Sequence, residues 1–312
     1  MTVRYIPIEL DEDSIAELLD PAIDPSDLEF AVVHVNNGVR SYAAQNPSLT
    51  PTHIQWLLTD LAQVQAGLAQ NPSIDSQTLK TLAASTHIRV RSNAISHPAF
   101  PADALNDYVG DPSSRIRAAV AASPHASAET LALLAQDSEF EVRAAVAAHA
   151  NTSPAILSTL SNDSFDEVTR AIAENPHTPL DVLERYLNGT HHQKLNVAKN
   201  PSLTDEILKR AITKAMELTE DQDESWEDSR GDTSLRGWIA ERNPLSPELI
   251  SILSADPYLW VRAEVAKNPS VPDSVLAQLA LDPEESVRRG VVDNPSASAD
   301  TKATAALLGI ED

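Results

Sequence analysis

Six arginines, Arg40, Arg91, Arg117, Arg143, Arg262 and Arg288, recur at one position of a repeating pattern. An Asp stands six residues before several of them, as in Asp111/Arg117, Asp137/Arg143, Asp256/Arg262 and Asp282/Arg288. A row of guanidinium groups at fixed spacing has two chemical uses. It faces phosphates along a basic groove, or it forms a structural ladder in which each Arg bonds an Asp or a helix-end carbonyl of its own or the adjacent repeat. Repetition at one fixed position, with Asp six residues earlier in four of the six, favours the structural ladder for Arg91, Arg117, Arg143, Arg262 and Arg288. Gln65 and Thr169 interrupt the series, so no continuous basic strip is assured.

Other groups capable of chemistry are sparse. There is no cysteine, and the 8 glycines form no phosphate-cradling loop and no Gly-x-Ser-x-Gly elbow. Scattered carboxylates without a paired motif do not point to acid–base catalysis. His191 and His192 are adjacent and therefore point to different sides of a helix, without the His-x-x-x-His spacing of a metal site. His97 and His149 fall where helices end and His125 and His177 just after, so all four read as helix-terminal residues near carbonyl dipoles. No catalytic residue, cofactor or metal is expected. Trp56, Trp226, Trp238 and Trp260 occupy different slots of the repeat; core packing accounts for at least two, and an exposed aromatic patch beside residue 238 is the alternative.

The segment 217–234 is acidic, with Arg230 its one basic residue and Trp226 near its middle. The partner-binding candidates are Glu220, Asp221, Asp223, Glu224, Trp226, Glu227 and Asp228, a contact loop for a basic partner with the indole as anchor. A solvated excursion is the competing reading, although loops that interrupt a regular array are favoured interaction sites. Residues 1–30 are acidic too, with Arg4 as their single base, so the acid is concentrated in two places. A basic partner would be steered there at low salt.

The elements that carry these residues follow from a period. An Asn-Pro pair or a close substitute recurs, with its proline slot at Pro21, Pro47, Pro72, Pro98, Pro124, Ala150, Pro176, Pro201, Pro244, Pro269 and Pro295. The spacing is 25 or 26 residues except between Pro201 and Pro244, where one repeat carries the insertion. Within a unit, Val275, Leu276 and Leu279 have helical spacing, and so do Val287, Val291 and Val292; Asp282-Pro283 between them reads as cap and first-turn proline. Each repeat is thus two short helices. The Asn before proline is expected to stop the second helix in the left-handed region, at Asn46, Asn71, Asn175, Asn200, Asn243, Asn268 and Asn294. Thr50-Pro51, Ser153-Pro154, Thr178-Pro179 and Ser246-Pro247 restart the chain as cap plus proline.

Helices this short are marginal alone and must be stabilised by neighbouring repeats. The expected fold is therefore all-α, an α-solenoid of about ten 25–26-residue two-helix repeats. Residues 1–20 form an N-terminal cap, residues 21–312 the solenoid with its C-terminal cap at 295–312, and residues 217–234 the insertion. Hydrophobic residues at 42% suffice for a continuous core, and aromatics at only 4% suit closely spaced helices.

A formal charge of −23 and a pI near 4.6 disfavour phosphate backbones and anionic membranes as partners. No run approaches the roughly 20 apolar residues of a membrane span, and residues 1–13 lack a basic region followed by an apolar stretch. A cytoplasmic setting is expected.

The recurring Asn-Pro-Ser-Leu, Leu-x-x-Leu and Val-Arg-x-x-Val-Ala-x-Asn-Pro, over almost the whole chain, resemble the leucine-rich repeat variant family and, more broadly, HEAT-like repeats. HEAT repeats share the Asp followed six residues later by Arg. The resemblance implies stacked helices in a right-handed superhelix, with one helix of each pair α or 3₁₀. An iron–sulfur cluster known in the variant family rests on cysteines absent here, so it does not carry over. The function expected is a non-catalytic scaffold for protein–protein interaction. Two alternatives are a HEAT-like DNA glycosylase, which needs Trp56 or Trp260 near an Asp in a basic groove, and an acidic DNA mimic, which needs carboxylates exposed at regular intervals.

Overall fold

The computed structural model describes residues 10–220 and 229–308. Among the described residues the chain is all-helical, with 22 α-helices, a 3₁₀ turn at Asn106–Tyr108 and no strand. It divides into two compact units, Met1–Ile156 and Leu157–Asp312.

The first unit contains α1 (Glu12–Leu19), α2 (Pro25–Ala31), α3 (Asn37–Ala43), α4 (Pro51–Leu58), α5 (Ala62–Leu68), α6 (Ser76–Ala83), α7 (Ile88–Ile95), α8 (Ala102–Leu105), α9 (Ser114–Ala122), α10 (Ala128–Leu134) and α11 (Phe140–Ala148). The division falls within α12 (Pro154–Leu160). The second unit continues with α13 (Asp166–Glu174), α14 (Leu180–Leu187), α15 (His191–Val197), α16 (Asp205–Glu220), α17 (Ser229–Ala240), α18 (Pro247–Leu253), α19 (Leu259–Lys267), α20 (Asp273–Leu279), α21 (Glu285–Asp293) and α22 (Ala299–Leu307). In the first unit each odd-numbered helix from α1 to α11 packs on the next odd-numbered one. The same succession runs from α13 to α21 in the second unit, where α22 closes against α20 and α21.

Valines and isoleucines four apart make this stacking face. Val142 and Val146 on α11, Val168 and Ile172 on α13, Val261 and Val265 on α19, and Val287 and Val291 on α21 are all buried. Each contributes roughly 1.5–3 kcal/mol when removed from water. Leucines of the even-numbered helices, such as Leu131 and Leu134 on α10 or Leu276 and Leu279 on α20, complete the core.

Caps place the even-numbered helices. Thr50 and Ser246 accept from the backbone N–H groups of His53 and Leu249, each followed by a first-turn proline as expected. Thr178 does otherwise: α14 begins only at Leu180, and the Thr178 hydroxyl turns back to donate to the Ile172 carbonyl at 2.6 Å. Asp282 is not the cap of α21 either. That helix starts at Glu285, while Asp282 Oδ1 accepts from the Glu284 N–H and the carboxylate is held by Arg262.

The Asn before proline departs from expectation most. Asn175, Asn268 and Asn294 are extended, with φ near −70° and ψ of 122–125°, rather than left-handed. The following proline dictates that conformation, and the side chain is what matters. Asn71 Nδ2 donates to the Ala44 and Asn46 carbonyls at 3.0 and 2.7 Å, at the end of the preceding repeat's second helix. Asn46, Asn200, Asn268 and Asn294 make the same pair of bonds one repeat back. The Oδ1 of Asn46, Asn71, Asn200, Asn268 and Asn294 accepts from the N–H two residues on. One buried amide thus ends its own helix and closes the carbonyl end of its neighbour.

Histidine substitutes in two slots. His97 Nε2 meets the Asn71 carbonyl at 3.0 Å while Nδ1 accepts from the Ala99 N–H, and His149 repeats this with Ser123 and Asn151. Both bonds of His97 require the neutral Nε2–H tautomer, and burial holds its pKa below 6.5. In the repeat with the insertion, Arg242 fills the role, bonding the Ala198 and Asn200 carbonyls.

Asn71→Ala leaves the Ala44 carbonyl without its donor and the Ser73 N–H without its acceptor and is expected to cost about 2–4 kcal/mol, whereas Asn71→His, which can hold Ser73 as His97 holds Ala99, costs less. Urea unfolding of the two variants measures the difference. Neutral His97 contributes stability above the unfolded imidazole value near 6.5, and the contribution is lost as pH falls through its lower folded value. His97→Asn should therefore flatten the stability profile between pH 7 and 5.

Candidate functional site

The second helix of each repeat begins after a tight turn, and the recurring Arg lies on that helix facing the turn. Arg117 shows the arrangement. Its Nε and NH2 fork onto Asp137 at 2.6 and 2.8 Å, and its NH1 donates to the Asp111 and Pro112 carbonyls at 2.9 and 3.4 Å. The carboxylate partner is therefore the Asp twenty residues later, in the next repeat. The Asp six residues earlier contributes only its backbone oxygen to the same Arg, while its own carboxylate holds the previous Arg. Arg40–Asp60, Arg91–Asp111 and Arg262–Asp282 repeat the clamp. Arg143 donates to the Asp137 and Ser138 carbonyls, and Arg288 to those of Asp282, Pro283 and Leu308.

A seventh member escaped the sequence reading. Arg236 pairs with Asp256, Nε to Oδ2 at 2.7 Å, and the two side chains are 0% and 1% exposed. Subtracting one period from Arg262 would have found it, but the insertion shifts the local spacing and hides the slot. Its NH1 is buried without a hydrogen-bond partner. In other repeats that nitrogen meets turn carbonyls five and six residues back; here those residues, Arg230 and Gly231, already belong to α17. The Tyr258 ring lies 5.3 Å from the guanidinium carbon instead. Where the Arg is missing, Gln65 Nε2 bonds the Leu58 carbonyl and the Thr169 hydroxyl bonds that of Asp166.

The clamps are electrostatically active. Hydrogen bonds from Arg40 and Arg117 hold Asp60 and Asp137 below the usual carboxylate range, against the opposing effect of burial. The same bonds raise the Arg40 and Arg117 values.

As to the insertion, α16 extends to Glu220 and α17 begins at Ser229, so both ends of the segment 217–234 are helical rather than loop. Glu220 ends α16, whereas Asp221, Asp223, Glu224, Trp226, Glu227 and Asp228 lie outside the described residues. Trp238 on α17 and Trp260 on α19 are both half-buried. Trp238 meets the His191 ring edge-on at 5.0 Å, and Trp260 lies so close over Gly237 that an added Cβ would fall 1.7 Å from its ring. His191 also stacks edge-on with His192. Trp56 is 47% exposed on α4.

Concavities are modest. A groove of about 390 Å³ runs between α18 and α20 past Ile250, Val275 and Leu279, and one of about 180 Å³ lies between α14 and α16 beside Glu184, Arg210 and Lys214. The Arg210–Glu184 pair and the Lys214–Asn188 bond span the latter. Among the described residues no cluster of three His, Cys, Asp or Glu is placed to hold a metal ion, and no helix is long and apolar enough to cross a membrane. No family model matches the chain, and no curated protein matches it.

Asp256→Ala strands a buried guanidinium and is expected to cost about 3–5 kcal/mol, while the double exchange Arg236→Met with Asp256→Leu costs less than either single change. Denaturant midpoints of the four chains test this. Because the Asp60 and Asp137 pKa values are lowered from 3.8 in the folded chain, their clamps contribute fully above 3.8 and the contribution is lost as pH falls from there through the lower folded values. Asp137→Asn should accordingly shrink the acid-induced loss of stability.

Proposed function

We propose that the chain is a non-catalytic helical-repeat scaffold, an α-solenoid of the leucine-rich repeat variant or HEAT-like kind, that binds a protein partner in a cytoplasmic setting. The observation that carries this reading is where the recurring polar groups go. Asn side chains are spent on the preceding repeat's carbonyls and Arg side chains on the next repeat's Asp. What repeats holds the fold, and what does not repeat is left to face a partner.

The same commitment weighs against the two nucleic-acid alternatives. A glycosylase groove needs free cations beside an accessible Asp, yet Asp256, in the repeat of Trp260, is 1% exposed and clamped. A DNA mimic needs regularly spaced open carboxylates, and the regularly spaced Asp60, Asp111, Asp137, Asp256 and Asp282 are occupied by Arg. The acidic insertion remains the favoured contact loop, since it is the one interruption of the period and its charge suits a basic partner.

Affinity purification from a nuclease-treated lysate, comparing the intact chain with one lacking residues 217–234, tests the scaffold. A protein retained by the intact chain and lost on deletion, with helicity unchanged, is the expected outcome. Selective binding of the purified chain to duplex DNA containing alkylated bases, measured separately without nuclease, would overturn it.

A further inference from the structure

Within the first unit, two successive repeats leave apolar side chains in solvent at equivalent places. Phe30 and Trp56 hold the same slot on α2 and α4, 43% and 47% exposed. In the turns that follow, Val35 just before the α3 cap residue Asn36, Leu61 at the α5 cap position, and Val33 are 88%, 57% and 60% exposed. The fold does not require this. In the next repeats the ring slot carries Thr81 and Asp107, the Val35 slot Thr86 and Pro112, and the Leu61 slot His87 and Ser113.

The clamp of the first repeat draws the two turns together. Arg40 NH1 bonds the His34 and Val35 carbonyls at 2.6 and 3.3 Å, its Nε reaches Asp60, and Asp60 Oδ1 accepts from the Leu61 N–H. Val35 and Leu61 therefore flank one guanidinium. The Phe30 ring packs edge-on against His34, whose carbonyl that guanidinium also bonds. Phe30, Val35 and Leu61 thus gather around one clamp, and Trp56 holds the Phe30 slot on α4, the kind of clustered apolar exposure that marks an interaction site.

Its surroundings carry one sign of charge. Asp20, Asp24 and Glu29 are exposed at and around α2. Arg40 is the sole Lys or Arg between residues 10 and 79, and it is committed to Asp60. We infer that Phe30, Val33, Val35, Trp56 and Leu61 form a docking surface for an amphipathic helical segment of a partner protein, apolar along one face and flanked by Lys or Arg. A second copy of this chain does not fit, because its matching patch brings the same acidic rim and a formal charge of −23. The inference rests on the scaffold reading and adds a second contact surface to the insertion.

The probe is a short fluorescein-labelled peptide with Leu at i, i+3, i+4 and i+7 and Lys elsewhere, set against a scrambled peptide of the same composition. Anisotropy titrations of the full chain should show the scramble binding at least about tenfold more weakly. Trp56→Ala and the doubly exposed change Val35→Ser with Leu61→Ser should each weaken the ordered peptide by a similar factor, with Leu133→Ser, at an exposed site elsewhere, as the neutral control. Removing residues 217–234 should leave the preference for the ordered peptide intact. Equal binding of both peptides, unchanged binding by both patch variants, or a dimer in sedimentation that Val35→Ser with Leu61→Ser dissociates overturns the docking surface. None of these outcomes touches the scaffold reading, which stands or falls on the co-purified partner.

Discussion

A buried side-chain amide that reaches back one repeat is the constraint on which the rest depends. Packing between Ala, Val and Leu faces is strong but non-directional, and adjacent small residues permit sliding by a turn. The Asn side chain does not permit it. Its two Nδ2 bonds to carbonyls such as those of Ala44 and Asn46 fix the distance and rotation between successive second helices. A misplaced repeat strands a buried amide and the helix-end carbonyl that it alone closes, such as that of Ala44, at about 1–3 kcal/mol for each group. That penalty exceeds what one methyl group of better packing returns.

The Arg–Asp clamp plays the complementary part at the opposite end of the second helix. Asp111, Asp137, Asp256 and Asp282 each take the Arg of the preceding repeat on the carboxylate, cap their own turn with the same carboxylate, and offer the backbone oxygen to the next Arg. Information about register thus passes along the chain without long-range contacts. The insertion shows what this costs when broken. Extending α17 backward to Ser229 removes the turn carbonyls, and Arg236 keeps its Asp but not its backbone acceptors. Arg242 repairs the other ladder by spanning the same two carbonyl positions that Asn reaches elsewhere. Burial lowers the Arg242 pKa, with Asp205 opposing, so the repair places a cation where its neighbours use a neutral amide.

Much of the architecture was legible because each helix is specified locally. The 25–26-residue period, the Val and Leu spacing and the Thr50-Pro51 and Ser246-Pro247 caps all encode themselves within a few residues. Partners twenty or twenty-six residues away are harder to see. The nearer Asp, six before the Arg, is the conspicuous one, yet it contributes a carbonyl, while the carboxylate that matters belongs to the following repeat. The Asn conformation was misjudged for a related reason: a residue that ends a helix before proline needs an extended backbone, and only its long-range bonds explain why it is Asn. The presence of His at the slots of residues 97 and 149 follows once those bonds are known, since imidazole presents a donor and an acceptor at similar reach.

Exposure is the property that the pattern conceals most fully. Phe30, Trp56, Val35 and Leu61 read as ordinary apolar residues of a helical repeat, and nothing in their spacing distinguishes them from Leu57 or Val39, which are buried. Comparison with the equivalent slots of later repeats separates them, because positions that tolerate Thr81 or Asp107, Thr86 or Pro112, and His87 or Ser113 are not part of the core. In a repeat protein the molecule supplies its own set of comparisons. A residue type held at every equivalent place is answering to the fold. One that departs toward the apolar at an open place answers to something outside it, since water alone would favour the polar alternatives its neighbours use.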